Sequence, residues 1–114
     1  MKITNLTQKN LLASNTRIAG SFFSRLVGLI GRKSLGASEA LVITRCQSIH
    51  MFFMRFPIDV VFIDEKNRVV GLVKNIKPFQ MSPVFWKADR AVELPQDTIS
   101  RLNTKIGDNL LFED

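Results

Sequence analysis

The sequence predicts an α+β fold, a β-rich, antiparallel, barrel-like sheet with one or two short helices. Three observations predict it. Short apolar, β-branched segments outnumber stretches with helical spacing. Turn-forming clusters such as Gln8-Lys9-Asn10, Asp64-Glu65-Lys66-Asn67 and Gly107-Asp108-Asn109 divide them at hairpin distances. The 114 residues, 46% of them apolar, suffice for one core, so residues 1–114 are expected to form a single domain.

Taken in order, residues 3–7 and 10–18 read as two strands joined by the turn at Gln8. Residues 21–30 read as a helix. At 100° per residue Phe22, Phe23, Leu26, Val27, Leu29 and Ile30 share an arc of about 160°, Ser21 can cap the start and Gly31 the end. A strand follows at 39–46. The clearest strand is 58–63, Ile-Asp-Val-Val-Phe-Ile, whose hairpin partner returns from Arg68 to Lys74. Pro78 and Pro83 make 76–87 an irregular loop. A strand at 89–94, a short helix at 96–104 and a last strand at 110–112 complete the chain.

Composition limits the function classes. No apolar run approaches the roughly 20 residues of a membrane-spanning helix, and the first residues lack the apolar stretch of a secretory signal. Cys46 is the single cysteine, so no internal disulfide forms and a reducing compartment, the cytoplasm, is expected. The formal net charge is +6. Residues 1–38 hold Lys2, Lys9, Arg17, Arg25, Arg32 and Lys33 with no acid, whereas the remainder balances. Such a basic third is either a solvated face or a surface for RNA or another acidic partner.

The segment from Cys46 to Asp59 concentrates the residues with chemistry. Three readings compete there. A Cys46–His50 nucleophile pair requires a helical turn, because along an extended strand the two would lie about 13 Å apart. Cys46, His50, Met51 and Met54 offer soft-metal donors, but in single copies rather than paired zinc-type spacing. The structural reading makes the Met and Phe residues core, with Arg55 held against Asp59 to lock the corner at Pro57.

A second segment, 74–90, interleaves Phe79, Phe85 and Trp86 with Lys77, Lys87 and Arg90 on a proline-bearing loop. Rings packed over a barrel mouth explain it, and so does a platform for single-stranded nucleic acid. Asp59, Asp64, Asp89 and Glu93 stand singly, without the pairing of acid–base catalysis.

The run from Ile49 to Asp64, with 25–32 (Arg-Leu-Val-Gly-Leu-Ile-Gly-Arg), 91–95 (Ala-Val-Glu-Leu-Pro) and Gly107-Asp108, resembles the DUF192 family, also called UPF0127, over residues 20–112. The resemblance implies a compact, β-rich, barrel-like α+β domain with no established activity. That family is widespread in bacteria and archaea, and a bacterial source is expected. Members of the family carry Trp and Lys-Asn-Thr where this chain has Met54-Arg55-Phe56, and Cys46 and His50 belong to the variant resembling this chain. A family-wide reaction therefore does not run through them.

The expectation is a small binding or accessory domain with no cofactor and no metal. Its expected surface comprises His50, Met54, Arg55 and Asp59 together with Phe79, Trp86 and Arg90, facing a small ligand, a protein or an acidic partner. The alternatives are a small Cys/His enzyme using Cys46 and His50, and RNA or acidic-partner binding through the basic N-terminal third.

Overall fold

The structure, a computed structural model, describes residues 1–19, 35–52 and 54–114. Among them are eight strands and one helix: β1 (Lys2–Asn5), β2 (Asn10–Ala13), β3 (Asn15–Ala19), β4 (Glu39–Thr44), β5 (Ile58–Ile63), β6 (Val69–Ile76), β7 (Arg90–Pro95), α1 (Thr98–Leu102) and β8 (Leu110–Glu113). The helix expected over 21–30 lies outside the described residues.

The strands form two sheets, ordered β2-β1-β8 and β3-β4-β7-β5-β6. The class is α+β and mostly sheet, but among the described residues the strands form two sheets in place of the single antiparallel one expected, and neither is closed into a barrel. The larger sheet ends at β3 and β6 without closing, and β3 runs parallel to β4. The cause is a break at Ser14 within the expected 10–18 strand. The N–H groups of Ser14 and Asn15 both donate to the Ser38 carbonyl at 3.0 Å. That transfer sends β2 to one sheet and β3 to the other.

β5 is central because all six of its residues are buried, and β-branched side chains suit a strand covered on both faces. Alternation divides it. Ile58, Val60 and Phe62 join one apolar layer with Leu41, Ile43, Met51, Met54, Phe56 and Ala91. Val61 and Ile63 join a second layer with Ile3, Leu12, Val92, Leu94, Ile99 and Leu110. The second layer fills the space between the two sheets. The first is covered by Ile49, Met51, Met54 and Phe56. Each Val, Leu, Ile, Phe or Met side chain among these contributes about 1.5–3 kcal/mol when fully buried.

Asp59, also on β5, is fully buried. Its Oδ1 accepts the Asn75 N–H at 2.9 Å and its Oδ2 the Ile99 N–H at 2.8 Å. Asn75 is the bulged residue of β6, held at φ 52°, and Ile99 lies in the first turn of α1. The Asp97 side chain makes no capping bond to α1, so Asp59 satisfies one of its free donors from across the fold. A buried carboxylate is tolerable on these terms.

Two further contacts fix the loop over 77–89. Phe85 stacks on Phe62 with ring centroids 4.5 Å apart. A Cβ added to Gly71 would lie only 2.3 Å from the Phe85 ring, so glycine is what lets the ring sit on β6. At the opposite end Asp108 accepts from Asn5, Gln8 and the Lys105 N–H at 2.9–3.2 Å, tying β1 to the turn before β8. Burial alone would raise its carboxyl pKa, but these hydrogen bonds and the Lys105 charge outweigh it and hold the group below its ordinary value of 3.8.

Gly71→Ala is expected to displace Phe85 and lower stability by about 1–3 kcal/mol, as overpacking does, measured by urea denaturation. Asp59→Ala leaves two N–H groups without their acceptor and is expected to cost about 1–3 kcal/mol for each, with Asp59→Asn intermediate in the same assay. For Asp108, a depressed folded pKa means its contribution is complete above the unfolded value and is lost as pH falls through the folded one. Stability is therefore expected to fall below about pH 4, and Asp108→Asn to flatten the profile in that window, followed by thermal unfolding against pH.

Candidate functional site

The two segments that stand out in the sequence are bonded to each other. The Cys46 N–H donates to the Asp89 carbonyl at 3.0 Å, and the Phe85 N–H to that of Gln47 at 2.8 Å. The Ser82 N–H donates to Ile49 O, Met51 N–H to Gln80 O and Phe79 N–H to Met51 O, each at 2.8 Å. Side chains complete the ladder: Ser82 Oγ accepts the Ile49 N–H at 2.9 Å, and Gln47 Nε2 donates to Trp86 O at 2.9 Å. The result is an irregular antiparallel ribbon laid over the first apolar layer.

The ribbon sorts its side chains by face. Ile49 and Met51 point into the core and are buried. His50 lies opposite Met81 in an antiparallel bridge. The bonds on either side make this a non-hydrogen-bonded pair, in which side chains approach most closely. The half-buried His50 ring packs on Phe52, centroids 4.8 Å apart. Phe52, Met81, Val84, Phe79 and Trp86 are 44%, 67%, 46%, 74% and 78% exposed. Trp86 and Val84 also border a groove of about 300 Å³ with Val70, Phe85 and Lys87.

Phe79 occupies an unusual backbone. Pro78 and Phe79 are the central residues of a turn closed by the Gln80 N–H on Lys77 O at 3.1 Å, and Phe79 has φ 68°. Proline followed by a positive φ is the type II pattern, whose third position normally takes glycine or asparagine. Gln80 Oε1 reinforces the turn by accepting the Lys77 N–H at 2.8 Å. The conformation is therefore held against the preference of a bulky side chain, and the ring so held faces solvent.

Several expected site residues belong elsewhere. Met54 is buried in the core, as are Met51 and Phe56, so these three side chains help to fill the first apolar layer. Asp59 projects from the opposite face of the sheet and binds backbone, not Arg55, which is exposed. Arg90 is an anchor. It donates to Asp89, to Asp64 O at 3.0 Å and to the Asn67 side chain, with its guanidinium 5.6 Å from the Phe112 ring centroid. Of the expected surface, His50, Arg55, Phe79 and Trp86 remain on the ribbon or its corner.

The Cys46–His50 geometry is not the helical turn that a nucleophile pair requires. The residues run along the ribbon, one opposite Asp89 and the other opposite Met81, and the Cys46 thiol donates to Ser48 O at 3.1 Å. No cluster of three or more His, Cys, Asp or Glu able to hold a metal occurs among the described residues. Of the basic first third, Lys2, Lys9 and Arg17 are exposed, while Arg25, Arg32 and Lys33 lie outside the described residues.

Sequence reasoning undervalued three positions. Phe52 and Met81 were masked by their apolar character, which reads as core until pairing assigns the face. Glu93 is fully buried at the centre of the larger sheet. Strand registers place it in one row with Arg17, Leu41 and Val60, on the face that carries Met51. A carboxylate inside an apolar strand such as Ala91–Leu94 is the signal that could have found it.

The DUF192 profile (Uncharacterized ACR, COG1430) matches residues 3–112. A UPF0127 protein of Thermococcus sibiricus is 33% identical over 115 residues, covering 97% of this chain and 74% of that protein. One from Pyrococcus furiosus is 30% identical over 109 residues, covering 93% of each. Both of these relatives are archaeal, so they lend no support to the expected bacterial source. A crystal structure of a protein of unknown function from Novosphingobium aromaticivorans superposes with a TM-score of 0.81 at 21% identity, over 97% of this chain and 82% of that one. The names of these three proteins assign no activity, and the match over nearly the whole chain shows that this protein belongs to the DUF192 (UPF0127) family.

Proposed function

We propose that this chain is a small binding or accessory domain whose ligand surface is the outer face of the ribbon joining residues 46–56 to 77–90. One observation carries the reading. Ten large apolar side chains are exposed among the described residues, and five of them, Phe52, Phe79, Met81, Val84 and Trp86, stand on this ribbon. Scattered exposed apolar groups need no explanation, but a concentration on one hydrogen-bonded platform does. Aromatic residues and methionine are also the types enriched in recognition surfaces.

The platform is held before any ligand arrives. Its backbone bonds, the Phe85 ring on Gly71 and the closed turn at Phe79 fix the exposed side chains at little further entropic cost on binding. We read residues 1–114 as a single domain in the cytoplasm. The pairing of β1 with β8, from opposite ends of the chain, supports the first, and the lone thiol suits a reducing compartment.

The test is a titration of ¹⁵N-labelled protein with small aromatic and anionic fragments, followed by amide chemical shifts. Shifts are expected to cluster at 46–56 and 77–90. Shifts confined to other surfaces, or none at all, would remove the assignment.

A further inference from the structure

The next inference rests on the ribbon being the ligand surface and concerns the chemistry of what it meets. The stretches that frame it, residues 40–58 and 66–88, contain no Asp or Glu. Arg45, Arg55, Lys74, Lys77 and Lys87 are all exposed there, and among the described residues none of the five makes an ion pair. Asp89, half-exposed at the Cys46 end, is the ribbon's one carboxylate and shares a groove with Lys87, Asp64 and Glu65. With several cations outside any ion pair against that one acid, the rest of the surface is complementary to a polyanion.

The rings narrow the class. Trp86 sits at the Gln47 end of the ribbon and Phe79 at the Met51 end, separated by about 13 Å of extended chain. Phe52 neighbours the second end. Each ring has a cation within three positions along the chain: Arg55 after Phe52, Lys77 before Phe79, Lys87 after Trp86. Flat apolar groups thus intermix with cations along the chain, as bases intermix with phosphates in an unpaired strand. A duplex hides its base faces and offers phosphate alone. A bilayer is met best by apolar groups gathered together within a rim of cations, rather than by such intermixing.

We propose that this ridge binds single-stranded nucleic acid, with Phe52, Phe79 and Trp86 stacking on bases and Arg55, Lys77 and Lys87 meeting phosphates. Because each base presents a ring face, the surface reads strandedness and not sequence. The left-handed turn at Phe79 acquires a purpose, since it holds a ring out where glycine would relieve the backbone.

Fluorescence anisotropy of labelled oligouridylate, oligothymidylate and a matched duplex, titrated with the full chain at increasing salt, tests this. Saturable binding to the single strands, weaker to the duplex, is expected. Trp86 is the chain's one tryptophan, so its emission should be quenched as strands bind. Trp86→Ala is expected to weaken binding roughly 5- to 150-fold, the range for one stacked base, and Trp86→Phe to retain most of it. Lys77→Ala and Lys87→Ala should each lower the slope of log affinity against log salt by about 0.7. Phe79→Gly should weaken binding while leaving the unfolding temperature the same or higher, because glycine suits that turn position. Tighter binding of uridylate or of thymidylate identifies RNA or DNA as the source. Equal affinity for duplex, or binding indifferent to Trp86→Ala and Phe79→Gly, overturns the proposal. Ridge-dependent binding to phosphatidylserine vesicles without binding to either oligonucleotide overturns it too, while leaving the ribbon as the ligand surface.

Discussion

A single contact, the Phe85 ring seated on Gly71 and against Phe62, decides what the outer segment of this molecule can be. With Phe85 down, the loop after β6 lies flat on the first apolar layer and its backbone is free to bond to residues 46–52. With the loop bonded, the alternation of side chains does the rest. Ile49 and Met51 turn inward, so His50, Phe52 and Met81 turn outward. The exposure of Trp86 beside a half-buried Phe85 follows from the same anchoring. Chemically similar neighbours acquire opposite roles because one of them has a glycine to rest upon.

Much of the fold is legible in the sequence, and the reasons are local. Ile58–Ile63 is β-branched, apolar and followed by Asp64-Glu65-Lys66-Asn67, so composition and turn chemistry agree about it. Asp64 accepts the N–H groups of Lys66 and Arg68 at 2.9 Å, which is what a turn-starting aspartate does. The short helix and the last strand are legible for similar reasons. What is not legible is the division into two sheets. Ser14 carries no strong breaking signal, and the choice that parts β2 from β3 is made by a distant acceptor, Ser38 O.

The candidate site is legible in part. The sequence marks both segments of the ribbon by their density of Phe, Met, Trp and cations, yet it cannot tell which members face outward. Residues 46–52 follow no clean alternation, and 77–89 contain two prolines, so periodicity gives no register. Asp59 misleads for the opposite reason. Beside Arg55 in the chain it looks like half of an ion pair, but strand β5 turns it to the other face, where a bulge and a helix end await an acceptor. Arg90 likewise serves the turn of residues 64–67 because strand pairing carries it there.

The two irregularities of β6 bear on how this protein can be approached. β6 ends the larger sheet, and its pairing with β5 slips once opposite Asp59 and again before Ile63. An evenly spaced row of donors and acceptors would invite a stranger's strand to extend the sheet. A row interrupted twice, with Lys74 beside one interruption, does not. Main-chain zippering is thereby discouraged along this flank, and contact with other molecules is left to side chains.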